Sequence, residues 1–291
     1  MKFAYLIMAH DNEKQLRLLL NSLDYHENDI YLHIDKKSDL KKLAFDVKNA
    51  RIFVYHCFSV YWGDISQTKC QFFLLNEAKK EYHDYYHLLS GHDLPIKPHL
   101  AIMAFFKQNY GKQFIHFESD EFCMKDACRY YHFLAPLISR CNNFFLKDIL
   151  NRLEKEIIII QRKMNVKRTL FCGANWYSIT HDFAEEFCSK KDDVLKKIRW
   201  TISSDEYVLQ TFYRTMARGK YELFARTTKP EDYHGLTREI DWLHGTPYVW
   251  KNTDYEYLMK SERMFARKFD QKIDFEVIKK IVKTIKGDLR D

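Results

Sequence analysis

The sequence predicts an α/β fold in which a mainly parallel sheet is covered by helices. Apolar runs of strand length alternate with segments of helical period in the first third of the chain. Polar residues follow several of these runs where the strands should end. Such alternation is typical of a parallel sheet. Because the 291 residues include only 8 glycines and 5 prolines and show no repeat or linker, we expect one domain with a modified second half.

The first elements follow from apolar spacing. Residues 3–9 are a continuous apolar run, and leucines at helical spacing come next at positions 16, 19, 20 and 23. Strands are predicted at residues 30–34 and 51–55, with a short helix around residues 40–47 between them. The order strand, helix, strand, helix, strand therefore opens the chain.

A helical pattern at residues 65–82 and a strand at residues 85–89 extend the alternation. That strand runs into the polar segment SGHDLP at residues 90–95, while the strand at 30–34 stops at Asp35. Open α/β sheets bind ligands beyond the carboxyl ends of their strands. We expect Asp35 and residues 90–95 to face one crevice.

Composition restricts the partners. The formal charge of +7 favours an anionic partner, but the basic residues are dispersed among acidic ones, unlike a nucleic-acid-binding arm. The 7 cysteines form no CxxC pair, which suits a reducing compartment. The opening apolar run is too short for a signal peptide or membrane anchor. We expect a cytoplasmic protein that does not bind nucleic acid.

A basic, apolar segment at residues 140–168 predicts an amphipathic helix. Packing against the core is the commoner fate of such a helix, and docking on an anionic membrane surface is the alternative. The C-terminal helix predicted from residue 275 has a similar pattern, and for this one we favour packing. Peripheral binding at the inner face of the cell membrane is therefore expected to depend on residues 142–168.

Metal-ligand patterns are missing from the sequence. It contains neither Asp-x-Asp nor His-Glu-x-x-His, so no metal is expected. The segment SSDE at residues 203–206 is a loop entering a helix, where acidic side chains often serve only to favour the helix start.

Nine short segments occur in order over nearly the whole chain: YLIMAH (5–10), HIDKK (33–37), VYWG (60–63), LSGHDLPI (89–96), RYYHF (129–133), GANW (173–176), SSDE (203–206), REIDW (238–242) and MFARKFD (264–270). Together they resemble the core-2/I-branching β-1,6-N-acetylglucosaminyltransferases and the related peptide xylosyltransferases. The resemblance implies a GT-A-type fold with a mixed, mainly parallel central sheet flanked by helices. It also implies one catalytic domain over residues 1–291, with a nucleotide-binding half (1–110) and an acceptor-binding, catalytic half (111–291).

The resemblance implies that Glu206 is the general base that deprotonates the acceptor hydroxyl. Ser204 stands where the family has proline, a change that affects loop stiffness more than chemistry. A single base opposite the leaving group implies one displacement with inversion at the anomeric carbon.

The family binds the donor diphosphate with an arginine and a lysine in place of a metal, and the matching residues are Arg238 and Lys268. A guanidinium can hold two phosphate oxygens, and an ammonium adds a point charge. No metal and no other cofactor is therefore expected, although surface cations are often only solvated.

Asp35 matches the family's acid at the donor nucleoside, and His10 lies at the end of the first strand. Termination of its strand is the alternative role for Asp35, and His10 is equally consistent with a structural role. For the acceptor, the resemblance points to Glu118, Arg129 and Trp176, although a lone tryptophan is more often buried packing.

The function expected from the resemblance is inverting transfer of a sugar, N-acetylglucosamine first, from a UDP donor to a carbohydrate or lipid-linked glycan. A bacterial-type member that decorates a polysaccharide fits this pattern. Transfer of xylose or another sugar on the same scaffold is the alternative, as is a nucleotide-sugar-binding protein without catalysis.

Overall fold

Two β-sheets organise the chain in the computed structural model, which describes residues 1–119, 126–166, 168–224 and 233–287. The strands are β1 (Phe3–Ala9), β2 (Asn28–Ile34), β3 (Arg51–Tyr55), β4 (Tyr85–Ser90), β5 (Asp93–Pro95), β6 (Phe114–Ile115), β7 (Tyr177–Thr180), β8 (Arg238–Ile240) and β9 (Phe265–Arg267).

Helices cover both faces of the larger sheet. The helices of the described residues are α1 (Glu13–Ser22), α2 (Ile65–Ala78), α3 (His99–Gln108), α4 (Asp126–Arg129), α5 (Ala135–Arg140), α6 (Phe144–Lys163), α7 (His181–Ser189), α8 (Lys191–Ile198), α9 (Val208–Phe212), α10 (Tyr255–Lys260) and α11 (Phe275–Lys286).

The larger sheet has six strands in the order β3-β2-β1-β4-β7-β6. Strands β3, β2, β1 and β4 are parallel, and β7 runs antiparallel to both β4 and β6. The sheet is therefore mixed and mainly parallel, as predicted. In the smaller sheet, β9 lies between β5 and β8, antiparallel to β5 and parallel to β8.

Alternation along β1 divides the core into two layers. Phe3, Tyr5 and Ile7 pack on one face of the sheet, whereas Ala4 and Leu6 pack on the other. Helices α1 and α11 bury their apolar residues in the first layer, and α2 and α7 in the second. A sheet covered on both faces needs apolar side chains on both, which explains why β1 reads as a continuous apolar run.

The parallel arrangement places the ends of β1, β2 and β4 at one edge of the sheet. Asp35 follows β2, and residues 90–95 follow β4 into β5. Asp35 and residues 90–95 thus lie at the same edge of the sheet; that they face one crevice stays a prediction.

The helix predicted around residues 40–47 is wrong in length. The structure has a 3-10 turn at Asp39–Lys42. The side chain of Ser38 caps its start by accepting a hydrogen bond from the Leu40 amide. Leu43 then adopts an extended conformation, with φ −98° and ψ 143°. Since the apolar spacing of a short amphipathic loop resembles that of a helix, the pattern alone did not separate the two.

The two basic, apolar helices pack differently. In α11, Val277, Ile278, Ile281, Val282 and Ile285 are buried, so this helix belongs to the core, as favoured from the sequence. In α6, the buried residues are polar, and the apolar residues are largely exposed. Among the described helices, none has the length and apolar character needed to span a bilayer.

Candidate active site

The predicted crevice begins where β1 and β4 end. His10 is exposed beyond β1, and His92 is buried in the turn between β4 and β5. Their ring centroids lie 5.6 Å apart. Gly91 permits this approach, because a Cβ there would lie only 3.1 Å from the Ala9 Cβ. Partial burial lowers the pKa of His10, while the nearby carboxylate of Asp11 acts in the opposite direction.

Asp35 organises the loop at the end of β2. Its Oδ1 accepts a hydrogen bond from the Lys37 amide at 2.8 Å, and its Oδ2 accepts one from the Val60 amide at 3.2 Å. The residue is buried. Through these two hydrogen bonds, its carboxylate connects the loop after β2 to the segment that precedes α2. Its contact with a nucleoside stays a prediction.

Lys268 comes to the same edge from the far end of the chain. The Phe269 amide donates to the His92 carbonyl at 2.9 Å, and this hydrogen bond places residue 268 beside the β4–β5 turn. Lys268 is half-buried, and its charge acts on His10. The structure thus brings Lys268, His10 and Asp35 to one edge of the sheet, whereas the sequence analysis paired Lys268 with Arg238.

Arg238 lies deeper than its predicted role requires. Only 2% of the residue is exposed. Its guanidinium donates to the carbonyl oxygens of Leu88, Tyr177 and Leu236 and to Ser178 Oγ, at 2.5 to 3.1 Å. Burial lowers the pKa of Arg238 to about 10, which leaves it charged at neutral pH. The guanidinium is therefore a structural cation under the crevice, and direct contact with a diphosphate stays a prediction.

Arg267 is a cation that the sequence analysis missed. Its Nη1 donates to Asp93 Oδ1 at 2.7 Å and to Ser90 Oγ at 2.5 Å, and its guanidinium lies 4.3 Å from the ring centroid of Trp176. It is half-buried, unlike Arg238. The position of Arg267 next to Lys268, in the segment MFARKFD, could have indicated a site residue. A basic residue in such a segment is usually only solvated, however.

The loop that carries Glu206 is held on several sides. Ser203 has a positive φ of 53°, and its amide donates to the Gly63 carbonyl at 3.0 Å. Buried Ser204 has its Oγ 2.7 Å from Thr68 Oγ1 on α2. The serine that replaces the family's proline is thus a hydrogen-bonded part of the loop.

Asp205 is the buried partner of this loop. Gln67 and Asn175 both donate to Asp205 Oδ2, at 2.7 and 2.8 Å. Burial raises the pKa of Asp205 to about 6. Gln67 and Asn175 were not singled out from the sequence, because amide side chains give no pattern that marks a site.

Glu206 is exposed, whereas the neighbouring Asp205 is buried. Partial desolvation of the carboxyl group raises its pKa, and the charges of Asp205 and Glu118 act in the same direction. A carboxylate of raised pKa is a stronger base than an ordinary one.

The three predicted acceptor residues lie in segments near Glu206. Glu118 follows β6, and its charge acts on Glu206. Trp176 is buried beneath Arg267, next to the Asn175 that binds the acidic loop. Arg129 is half-buried at the end of α4, a short helix in contact with the residue that follows Glu206. Their roles toward an acceptor stay predictions.

Residues 173–176 join the two sides of the site. The Gly173 amide donates to the Glu206 carbonyl at 2.9 Å, and a Cβ on Gly173 would lie 2.1 Å from the His116 carbonyl oxygen. Asn175 binds the acidic loop, and Trp176 supports Arg267. A base on one side and cations on the other are the parts that group transfer from a nucleoside diphosphate needs.

Comparison with known proteins gives a family match. The family model described as core-2/I-branching enzyme matches residues 3–264. Xylosyltransferase sqv-6 of Caenorhabditis elegans is 23% identical over 295 residues, covering 92% of this chain and 34% of the relative. Xylosyltransferase 2 of Homo sapiens is 21% identical over 301 residues, covering 95% and 33%. The chain thus spans about a third of the length of these curated relatives.

A weaker likeness connects the chain to a solved structure. The crystal structure of mouse xyloside xylosyltransferase 1 in its apo form gives a TM-score of 0.31 at 10% identity. The match covers 74% of this chain and 82% of that one. A TM-score this low carries no argument about the fold.

Arg238→Ala should lower the free energy of unfolding by about 3 kcal/mol or more, because four buried acceptors lose a charged donor. Urea denaturation measures the change. Arg218→Ala is the matched control; Arg218 is exposed, so its loss should change stability by no more than about 0.5 kcal/mol. Equal stability of the two variants would contradict a structural role for Arg238.

Proposed function

The chain belongs to the core-2/I-branching enzyme family, and from this premise we propose that it is an inverting, metal-independent glycosyltransferase with a GT-A-type fold. It moves a sugar from a UDP donor onto a carbohydrate or lipid-linked glycan acceptor. The observation that carries the proposal is the exposed Glu206, whose pKa is raised beside two further acids. Residues 173–176 connect it to a cationic side formed by Arg267 and Lys268.

In the proposed reaction, Glu206 accepts the proton of the acceptor hydroxyl as its oxygen attacks the anomeric carbon. A new carbon–oxygen bond forms while the bond from that carbon to the diphosphate breaks, and UDP leaves with the electron pair. One displacement inverts the configuration at this carbon. Lys268 and Arg267 stabilise the charge on the departing diphosphate, while Arg238 supports the floor beneath them.

The nucleoside is proposed to bind at the carboxyl ends of β1 and β2, beside His10 and Asp35. The carboxylate of Asp35 already accepts two backbone hydrogen bonds. It therefore contributes to nucleoside binding in two ways: it fixes the loop, and its oxygens can accept further hydrogen bonds from the nucleoside. Glu118, Arg129 and Trp176 are proposed to bind the acceptor because they lie in segments near Glu206.

N-acetylglucosamine is the sugar that we propose first, and xylose is the second candidate because the relatives named above are xylosyltransferases. Slow hydrolysis of a panel of UDP-sugars without acceptor separates the two. Fastest release of UDP from UDP-N-acetylglucosamine supports the first, and fastest release from UDP-xylose supports the second. Binding of a donor without turnover over any acceptor would support a non-catalytic protein instead.

Glu206→Gln should leave UDP binding nearly unchanged and reduce transfer about a hundredfold or more, since the amide cannot accept the proton. Calorimetric UDP binding and product formation measure the two effects. Glu256→Gln, an exposed change on α10, is the control and should transfer normally. Normal turnover by Glu206→Gln would remove this residue from the mechanism.

Transfer should survive EDTA, because Lys268 and Arg267 supply positive charge at the site. Lys268→Ala should weaken binding of UDP more than binding of UMP, since the lost contact is to the diphosphate. Lys260→Ala, an exposed change on α10, should leave both affinities unchanged. Activity that EDTA abolishes and manganese restores would contradict metal independence.

The enzyme is further proposed to act at the inner face of the cell membrane through α6. This helix attaches to the protein by polar contacts: Glu154 accepts a hydrogen bond from the Leu134 amide at 2.9 Å, and Gln161 exchanges two with the backbone of Tyr131. The 7 cysteines of the chain include no CxxC pair, which suits the reducing side of that membrane.

The outer side of α6 is apolar and flanked by basic residues. Phe144 is 89% exposed, and the other exposed apolar residues include Phe145, Leu153, Ile160 and Met164. The exposed basic residues of the helix are Lys147, Arg152, Lys155, Arg162 and Lys163. Anionic lipid matches both features: apolar side chains enter the headgroup boundary, and each basic residue near the surface contributes on the order of 1 kcal/mol.

At low salt, a larger fraction of the protein should co-sediment with anionic vesicles than with neutral vesicles. Phe144→Ser with Phe145→Ser should reduce the bound fraction severalfold. Leu100→Ser is the control, because Leu100 is also highly exposed but lies on α3. Equal binding to both vesicle types would argue against lipid docking. Self-association lost only in the double variant would point to a second copy on this surface.

A further inference from the structure

We infer that His10, Asp11 and His92 form a binding site for one divalent transition-metal ion, with Zn²⁺ the best match. Each residue offers one ligand atom, and these atoms all lie within 4.8 Å of one another. Two imidazole nitrogens and one carboxylate oxygen suit Zn²⁺ and its neighbours in the first transition row. Mg²⁺ and Ca²⁺ prefer oxygen ligands alone.

The orientation of His92 is the first argument. Its Nδ1 lies 2.9 Å from the Phe269 carbonyl oxygen, which can only accept, so Nδ1 carries a proton. Its Nε2 faces Asp11 Oδ1, also at 2.9 Å. A metal-ligating histidine commonly donates its other ring N–H to a carbonyl in this way, which fixes the tautomer and the ring. A cation shared by Nε2 and Oδ1 would take the place of the proton that otherwise joins these two atoms.

The spacing of the ligand atoms is the second argument. Ligands about 2.1 Å from an ion lie about 3.0 to 3.4 Å apart when the angle between them is octahedral or tetrahedral. The Nε2–Oδ1 distances from Asp11 are 2.9 Å to His92 and 3.6 Å to His10. Since His10 is exposed, its ring can rotate to close the remaining difference.

The buried part of the site is held in place before any ion binds. Gln15 donates to the carbonyl oxygens of Gly91 and Phe269, at 2.9 and 3.1 Å, and so joins the two segments that flank His92. The neighbouring Lys268 and Lys272 oppose a cation, whereas Asp35 favours one, so a moderate affinity is expected.

Three protein ligands leave at least one coordination position open. Water can fill it, and so can an oxygen of a bound nucleotide; only this second role rests on the proposed function. The ion is not required to neutralise the diphosphate, so a zinc site here is compatible with transfer in the presence of EDTA.

Calorimetric titration of Zn²⁺ into tag-free protein, first treated with EDTA and then freed of it, tests the site. The wild type should bind one ion more tightly than any background site. His10→Ala, an exposed change that should not disturb folding, and His92→Gln should each weaken that binding roughly tenfold or more. His244→Ala is the matched control, since His244 and Asp241 form an exposed His–Asp pair with a 2.7 Å contact. Mg²⁺ should give no comparable binding.

Zinc affinity and stoichiometry that are the same in the wild type, His10→Ala and His92→Gln would overturn the inference. His92 and Asp11 would then be a hydrogen-bonded pair only. Loss of binding in His244→Ala with retention in His10→Ala would also overturn it. Because no donor sugar or turnover enters this titration, its failure leaves the proposed transferase function untouched, and failure of that function leaves the titration valid.

Discussion

The pairing of His92 with Phe269 is the contact on which the arrangement of the crevice depends. The Phe269 amide donates to the His92 carbonyl, and the His92 ring donates to the Phe269 carbonyl, both at 2.9 Å. Residues separated by 177 positions are thereby fixed against each other. Arg267 and Lys268 directly precede this contact, so the cations of the site reach the sheet edge only because the end of the chain returns to it.

A second constraint acts where residues 116–118 pass under residues 173–176. The backbone approaches so closely at Gly173 that any side chain there would collide with the His116 carbonyl. Gln210 donates to the carbonyl oxygens of His116 and Ala174, at 3.0 and 2.9 Å, and closes this crossing from α9. The crossing places Glu118 near Glu206, and that proximity helps raise the pKa of Glu206.

Long apolar elements could be predicted from the sequence, and short ones could not. Strands β1 and β3 have the predicted bounds, because runs of five to seven residues carry a clear pattern. Strands β5, β8 and β9 have three residues each, too few for any period, so the smaller sheet was not predicted. The mixed character of the larger sheet followed from the family resemblance, and the pairing of β4 with β7 accounts for it.

The candidate site shows the same division. His10 and Asp35, which the sequence analysis paired, share an edge of the sheet. The approach of Lys268 to that edge, the burial of Arg238 and the contacts of Arg267 depend on tertiary packing that no local pattern records. Membrane docking through α6 gains support from the structure because its buried residues are polar. An amphipathic pattern alone does not tell which face meets the protein.

The pH dependence of kcat/KM for sugar transfer, in the wild type and in Asp205→Asn, tests the central claim that Glu206 is a base of raised pKa. The rate should rise with pH, because the base must lose its proton, along a limb above the pKa of an ordinary glutamate. Removal of the Asp205 charge should lower the pKa of Glu206 and move that limb to lower pH, with thermal melting as the check on folding. A limb at the ordinary position of a glutamate, unchanged in Asp205→Asn, would contradict the account.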